Sequence, residues 1–212
     1  CSMRASALVL LASAVVSRAC VTEISDVATF KTKEADMHLI IDVRTWNEYT
    51  GSGDAACNSG SDKNKCNYGH HGSMFFLENP NRTDKAAVYK VSGSNTVDVA
   101  VLNALKACYG DQISTTKIMT SCHSGSRSGF FQDKLVEAGF KCENIYNFKP
   151  GAKGLYEAGE PMVNGTASPG IFDYSTCPAD KTGLKDSTSD SVTNGAASWS
   201  FGLTAPLLIG LL

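Results

Sequence analysis

Short apolar runs alternate with amphipathic stretches along the middle of this chain. The apolar runs cover residues 39–43, 73–77, 117–120 and 144–148. Runs of this length, bounded by polar or turn-forming residues, are typical of buried strands. Apolar residues recur at helical spacing over residues 97–109 and 129–138. The alternation predicts an α/β fold, with a mostly parallel sheet covered by helices on both faces.

A cysteine follows the third of these runs, where a strand is expected to end and a helix to begin. In parallel sheets, ligands bind beyond the carboxyl ends of the strands, which is where Cys122 falls. A turn before a helix points backbone N–H groups at one spot, and the helix dipole adds positive potential there. This field favours the nucleophilic thiolate of Cys122. Arg127 adds a fixed charge and a fork of donors that suits an oxyanion.

The spacing of the two residues narrows the chemistry. Four residues separate Cys122 from Arg127, whereas the cysteine phosphatase signature has five. The pattern C-x-x-G-x-R-S resembles the active-site loop of single-domain rhodaneses, the thiosulfate-type sulfurtransferases. In that family the shorter loop holds one persulfide sulfur, and the longer loop of the related phosphatases and arsenate reductases admits a tetrahedral oxyanion.

The resemblance continues in order along the chain, over roughly residues 21–165. Residues 38–45, HLIIDVRT, look like the family's buried strand ending in Asp-x-Arg, and Glu48-Tyr49 follows. Residues 69–73 resemble its Gly-His turn, and 138–140, 144–147 and 158–163 resemble its closing segment. The resemblance implies a rhodanese-like fold with a central, mostly parallel five-stranded sheet and helices on both faces.

The same resemblance implies a mechanism by double displacement. Cys122 takes sulfane sulfur from a donor such as thiosulfate, and a thiol or cyanide then removes it from the Cys122 persulfide. Arg127 is expected to position the donor, and the persulfide-binding loop comprises His123, Ser124, Gly125, Ser126 and Ser128. The family's supporting charge network falls on Asp42, Arg44 and Glu48. We expect a solvent-facing His123 side chain, no metal or organic cofactor, and a monomer.

Two departures from the family pattern are visible. The usual Gly-Gly and Trp near the end fall on Pro150-Gly151 and Leu155. An insertion rich in Gly, Ser, Asn and Asp occupies residues 51–68 and is predicted to be a loop.

The two ends of the chain have the features of processing signals. Residues 1–19 combine Arg4, a short apolar core and small residues at a cleavage site, as in a secretory signal peptide. The rhodanese-like domain then covers residues 20–178, followed by a polar spacer, 179–200, and an apolar tail, 201–212. Spacer and tail resemble a GPI attachment signal, with Ser189 and Asn194 as candidate attachment residues. These features predict a secreted or surface-anchored protein.

The cysteine count agrees with this compartment and with a reactive Cys122. Without Cys1 and Cys122, six cysteines remain, which could form three disulfides in an oxidising environment. Position suggests three pairs: Cys57 with Cys66, Cys108 with Cys142, and Cys20 with Cys177. Zinc bound by Cys57, Cys66, His70 and His71 is a weaker alternative, because adjacent histidines suit one tetrahedral centre poorly. The two histidines are instead expected in an exposed turn.

Other features set the remaining expectations. Asn81 and Asn164 begin glycosylation sequons. The formal net charge of −2 gives no electrostatic footprint for nucleic acid. A noncatalytic binding domain with this fold and, less strongly, a phosphatase or arsenate reductase are alternative functions.

Overall fold

The computed structural model describes residues 20–53, 55–57, 62, 66–166 and 169–175. The predicted signal peptide, polar spacer, apolar tail and Cys177 lie outside these residues. No helix within the described ranges is long and apolar enough to cross a membrane.

Nine strands and five α-helices make up the described fold. The strands are β1 (Thr22–Ile24), β2 (Leu39–Asp42), β3 (His70–His71), β4 (Phe75–Phe76), β5 (Val88–Val91), β6 (Ser94–Val97), β7 (Ile118–Ser121), β8 (Ile145–Phe148) and β9 (Met162–Val163). The helices are α1 (Val27–Glu34), α2 (Trp46–Thr50), α3 (Val99–Tyr109), α4 (Ser126–Glu137) and α5 (Gly151–Glu157). Short 3₁₀ turns occupy Gly110–Ser114 and Cys142–Asn144.

Five of the strands form the central sheet, in the order β1-β8-β7-β2-β4. Every pairing in this sheet is parallel, which confirms the predicted five-stranded sheet. β2 and β7 are neighbours, and Asp42 lies opposite Ser121. The residues that follow these two strands, from Val43 and from Cys122 onward, therefore emerge at the same edge of the sheet.

Alternate strand residues point to opposite faces and build two cores. On one face, Ile41 and Ile118 pack with Leu105 of α3 and Phe131 of α4. On the other face, Ile40 and Met119 pack with Phe30 of α1 and Leu155 of α5. Helices thus cover both faces, as predicted.

Helix α1 was not predicted from the sequence because its surface is almost entirely polar. Phe30 is its only buried residue. The start of the helix is stabilised by a local N-cap: the Asp26 side chain accepts a hydrogen bond from the Thr29 backbone N–H at 2.7 Å. Capping of this kind stabilises the start of a helix.

The described disulfides differ in part from the predicted pairs. Cys57 is bonded to Cys66, as expected. Cys20 is bonded to Cys142, so the predicted Cys20–Cys177 and Cys108–Cys142 pairs are wrong. The reason lies in the sheet: Cys20 precedes β1, Cys142 precedes β8, and these strands are parallel neighbours in register at their starts. Cys108 is also disulfide-bonded.

Candidate active site

The Cys122 loop, residues 122–128, joins the end of β7 to the first turn of α4. Helix α4 begins at Ser126, three residues before the predicted Gly129. Gly125 caps it with a φ of 84°, a conformation that L side chains rarely adopt. A Cβ atom at Gly125 would lie 2.7 Å from the Lys149 carbonyl oxygen. Glycine is therefore required for the turn and for its approach to the segment after β8.

The start of α5 supports the loop from the other side. The backbone N–H of Ala152 donates to the Cys122 carbonyl oxygen at 2.9 Å, and that of Lys153 donates to the His123 carbonyl oxygen at 3.2 Å. Gly151 has a φ of 61°, and a Cβ atom there would collide with both carbonyl oxygens. The packing therefore requires glycine at position 151.

The backbone N–H groups of the Cys122 loop are available to a ligand. Within the described part of the chain, no protein acceptor binds the N–H groups of residues 123–128. The first N–H groups of a helix have no intrahelical partner. Together with the dipole of the twelve-residue α4, they form a cradle that favours an anion.

Cys122 directly precedes these N–H groups in the chain, is 1% exposed and lines the adjoining cleft. It is the one free cysteine among the described residues. The Ser128 hydroxyl lies 3.4 Å from Cys122 Sγ and 2.7 Å from Asn147 Oδ1. Since this hydroxyl has a single proton, Cys122 and Asn147 compete for it.

Asn147 is a site residue that the sequence analysis missed. Its side chain is buried in β8, where it accepts from Ser128 and its Nδ2 donates to the Gly125 carbonyl oxygen at 3.3 Å. Asn147 therefore links Gly125, the cap of α4, to Ser128, whose hydroxyl lies beside the Cys122 sulfur. The sequence feature that could have indicated Asn147 is its amide side chain within the mainly apolar run that forms β8.

Arg127 forms a two-point ion pair with Glu48 of α2. Arg127 Nη1 lies 2.8 Å from Glu48 Oε2, and Nη2 lies 2.5 Å from Oε1. Glu48 also accepts from the Thr45 backbone N–H at 3.1 Å, within a capping box. Both side chains are about four-fifths buried. The guanidinium is thus fixed beside the Cys122 loop by an acid that borders the same cleft.

Asp42 and Arg44 form a second, separate ion pair. Both side chains are fully buried. Arg44 Nε and Nη2 donate to the Asp42 carboxylate, and Nη2 also donates to the Gly69 carbonyl oxygen at 2.5 Å. The expected charge network is therefore two pairs: Asp42–Arg44 anchors the chain beneath the site, and Glu48–Arg127 lies at its edge.

The Glu48–Arg127 pair predicts a specific acid sensitivity. Burial raises the pKa of Glu48, but the hydrogen bonds and charge of Arg127 outweigh it and lower the pKa from 4.5 to about 2. A depressed pKa contributes stability that is present above pH 4.5 and is lost as the pH falls through about 2. The gap corresponds to about 3 kcal/mol. Glu48→Gln should therefore flatten the fall in unfolding free energy between pH 5 and 2.

Urea unfolding across this pH range measures the effect. Glu137→Gln is the matched control, because Glu137 pairs with Lys134 on the exposed face of α4 and should contribute little. Equal acid sensitivity of the Glu48→Gln protein and its parent would contradict this assignment.

His123 is half-buried, which corrects the expected solvent-facing side chain. Its ring lies against that of Tyr68, with centroids 5.3 Å apart. Burial lowers the pKa of His123, while the charge of Glu48 opposes this effect. The imidazole is therefore biased toward its neutral form beside the thiol. Ser124 and Ser126 are exposed on the rim of the loop.

His70 and His71 do not lie in an exposed turn, which corrects another expectation. They form β3; His70 is fully buried and its ring stacks on Tyr49 at 3.8 Å. His71 contacts the Phe30 ring edge-on. The zinc alternative is wrong as well, because Cys57 and Cys66 are bonded to each other.

The end of the 51–68 insertion reaches the mouth of the site. Tyr68 contacts both His123 and Tyr156 through its ring, and Cys66 and Asn67 line the same cleft as Cys122. The Cys57–Cys66 disulfide closes this part of the insertion. Cys66 and Asn67 thus form part of the cleft wall, a placement that the loop-like composition of the insertion did not predict.

The cleft above Cys122 has a volume of about 680 Å³. A second wall comes from the β5–β6 hairpin, which the sequence analysis also missed. The sequence feature that indicates this hairpin is Ser92-Gly93 between two short strands. Both residues have positive φ, as tight hairpin turns require. The cleft is lined by Thr45, Glu48, Cys66, Asn67, Arg82, Asp84, Ala86, Val88, Tyr89, Lys90, Asn95, Cys122, His123, Ser124, Ser126 and Arg127.

Both candidate glycosylation residues, Asn81 and Asn164, are exposed. Asn81 Nδ2 donates to Asp98 Oδ2 at 2.8 Å.

No family model and no curated protein matches the chain. Among solved structures, wild-type EanB is 16% identical over 68% of this chain and 32% of its own, with a TM-score of 0.49. EanB with ergothioneine covalently linked to a cysteine persulfide is 14% identical over 69% of this chain and 32% of EanB, with a TM-score of 0.46. Tum1 from Saccharomyces cerevisiae is 14% identical over 68% of this chain and 46% of Tum1, with a TM-score of 0.40. This chain thus spans less than half the length of each of these proteins.

Proposed function

We propose that this protein is a rhodanese-type sulfurtransferase that carries sulfane sulfur as a Cys122 persulfide. The observation that carries the proposal is the environment of the Cys122 thiol. Cys122 is the free cysteine of the described chain; it lines the cleft and begins a loop whose N–H groups have no protein acceptor among the described residues. A persulfide there is an anion held by several backbone donors.

The reaction has two displacement steps. The Cys122 thiolate attacks the outer sulfur of thiosulfate, the bond between the two donor sulfurs breaks, and sulfite leaves with the electron pair. A thiolate acceptor then attacks the outer sulfur of the Cys122 persulfide, and Cys122 leaves as the thiolate. Charge balances in both steps, and the loop N–H groups stabilise the anion that each step forms.

The neighbouring side chains have distinct roles in this scheme. Arg127 places positive charge at the rim, where the sulfite oxyanion departs, and Glu48 fixes its orientation. Ser128 can donate to the Cys122 sulfur. Asp42 and Arg44 are positioning residues, because both side chains are fully buried and Arg44 holds the Gly69 carbonyl oxygen.

A phosphatase or arsenate reductase is a weaker candidate, because the loop between Cys122 and Arg127 is one residue shorter than the phosphatase signature. A noncatalytic binding domain is disfavoured because Cys122, Gly125, Arg127 and Ser128 are all retained in one geometry. We further propose that the protein acts in the secretory pathway or at the cell surface, with a GPI anchor replacing the tail. The described disulfides suit an oxidising compartment.

Steady-state kinetics with thiosulfate and cyanide test the function. A double displacement predicts parallel lines when reciprocal rate is plotted against reciprocal thiosulfate at several cyanide concentrations. Intersecting lines would indicate a ternary complex and contradict the persulfide carrier. Efficient hydrolysis of a phosphate ester without sulfur transfer would favour the phosphatase alternative.

A further inference from the structure

One wall of the cleft has no part in the reaction as proposed so far. Lys90 of β5 and Asn95 of β6 line the cleft together with Cys122. They lie directly opposite each other in the antiparallel hairpin. Paired residues of this kind project from the same face, with Cβ atoms about 5 Å apart. The hairpin therefore presents an ammonium group and a carboxamide side by side.

Lys90 differs from the two arginines that line the cleft in its ion pairing. Arg82 pairs with Asp84 at 2.7 Å, and Arg127 pairs with Glu48, so both guanidinium groups are compensated. In the described ranges, no acidic side chain forms an ion pair with Lys90, which is exposed. Among the described residues that line the cleft, Lys90 is thus the basic side chain without an acidic partner, and it lies on the hairpin.

The position of this charge indicates a substrate larger than thiosulfate. In thiosulfate the charged oxygens adjoin the reacting sulfur, and the loop N–H groups and Arg127 already lie beside Cys122. A cation on a separate hairpin serves a molecule whose charge is remote from its reacting atom. The volume of about 680 Å³ falls in the range of pockets that hold organic ligands.

We propose that Lys90 and Asn95 bind a carboxylate of an organic thiol that accepts the sulfur. This proposal rests on the proposed sulfurtransferase function. The thiolate of the acceptor attacks the outer sulfur of the Cys122 persulfide, so that a new sulfur–sulfur bond forms and the bond to Cys122 breaks. The products are the acceptor persulfide and the Cys122 thiolate. Lys90 Nζ and Asn95 Nδ2 both donate to the remote carboxylate.

Discharge of preloaded protein tests the acceptor site. Parent, Lys90→Ala and Lys106→Ala proteins are treated with thiosulfate and desalted, and loss of the extra sulfur is followed by intact mass. The probes are glutathione, glutathione diethyl ester, in which both carboxylates are masked, and cyanide. Lys106 is an exposed lysine of α3 outside the cleft, so its replacement controls for net charge.

Lys90→Ala should slow discharge by subsaturating glutathione roughly tenfold, the scale for one charge-assisted contact. Discharge by the ester and by cyanide should stay at the parental rate, and Lys90→Arg should restore the preference for glutathione. The same slowing for all probes, or none for glutathione, would overturn the acceptor site while leaving sulfur transfer intact. Failure of the parent to load sulfur would overturn both proposals.

Discussion

Cys122→Ser is expected to reduce sulfur transfer from thiosulfate to the background rate, a loss of roughly 10⁴-fold or more. Serine keeps the shape of cysteine at this buried position, but its hydroxyl is a far weaker nucleophile at neutral pH and forms no persulfide. The measurement is the rate of thiocyanate formation from thiosulfate and cyanide.

The fold of this variant should be unchanged, since the new hydroxyl can share hydrogen bonds with Ser128. Urea unfolding supplies the control, and the midpoint should stay close to that of the parent. A correctly folded Cys122→Ser protein that transfers sulfur near the parental rate would end the proposed mechanism.

Arg127→Ala should slow turnover of thiosulfate roughly 10²-fold, the scale for removing one preorganised donor from a developing oxyanion. It should also destabilise the protein, because Glu48 is left partly buried without its partner. Loss of one member of a buried pair costs about 3 to 5 kcal/mol. The measurements are kcat/KM for thiosulfate and the free energy of unfolding in urea.

The double variant Arg127→Ala with Glu48→Gln separates the two effects. Removing the orphaned carboxylate should recover much of the stability, while turnover stays roughly 10²-fold slow because the positive charge is still absent. Recovery of parental turnover in the double variant would show that Arg127 acts only by compensating the charge of Glu48.

Sequence pattern predicts the parts of this fold whose signals are local. The run that becomes β2 (Leu39–Asp42) is buried along its whole length, so its apolar composition is visible in the chain itself. β7 (Ile118–Ser121) is also buried along its length, and its first two residues, Ile118 and Met119, are apolar. They are enough to indicate a strand that ends just before Cys122. A strand that is buried on both faces is rich in apolar residues, and this composition can be recognised without knowing which strands are its neighbours.

Features that depend on contacts between distant segments were not predicted. The Cys20–Cys142 bond follows from the pairing of β1 with β8, and no local pattern in the chain encodes that neighbour. Asn147 becomes a site residue only because β8 runs beside β7. The Cys122 loop could be located because its functional residues are consecutive in the sequence. The walls of the cleft are formed by residues from separate segments of the chain, so they could not be located in this way.

Intact mass of the desalted protein after thiosulfate treatment tests the central claim most directly. The account predicts the addition of one sulfur atom to the parent protein, located on the peptide that contains Cys122, removed by cyanide and absent in Cys122→Ser. A parent protein that turns over thiosulfate without gaining this sulfur, or gains it on a different residue, would contradict the claim.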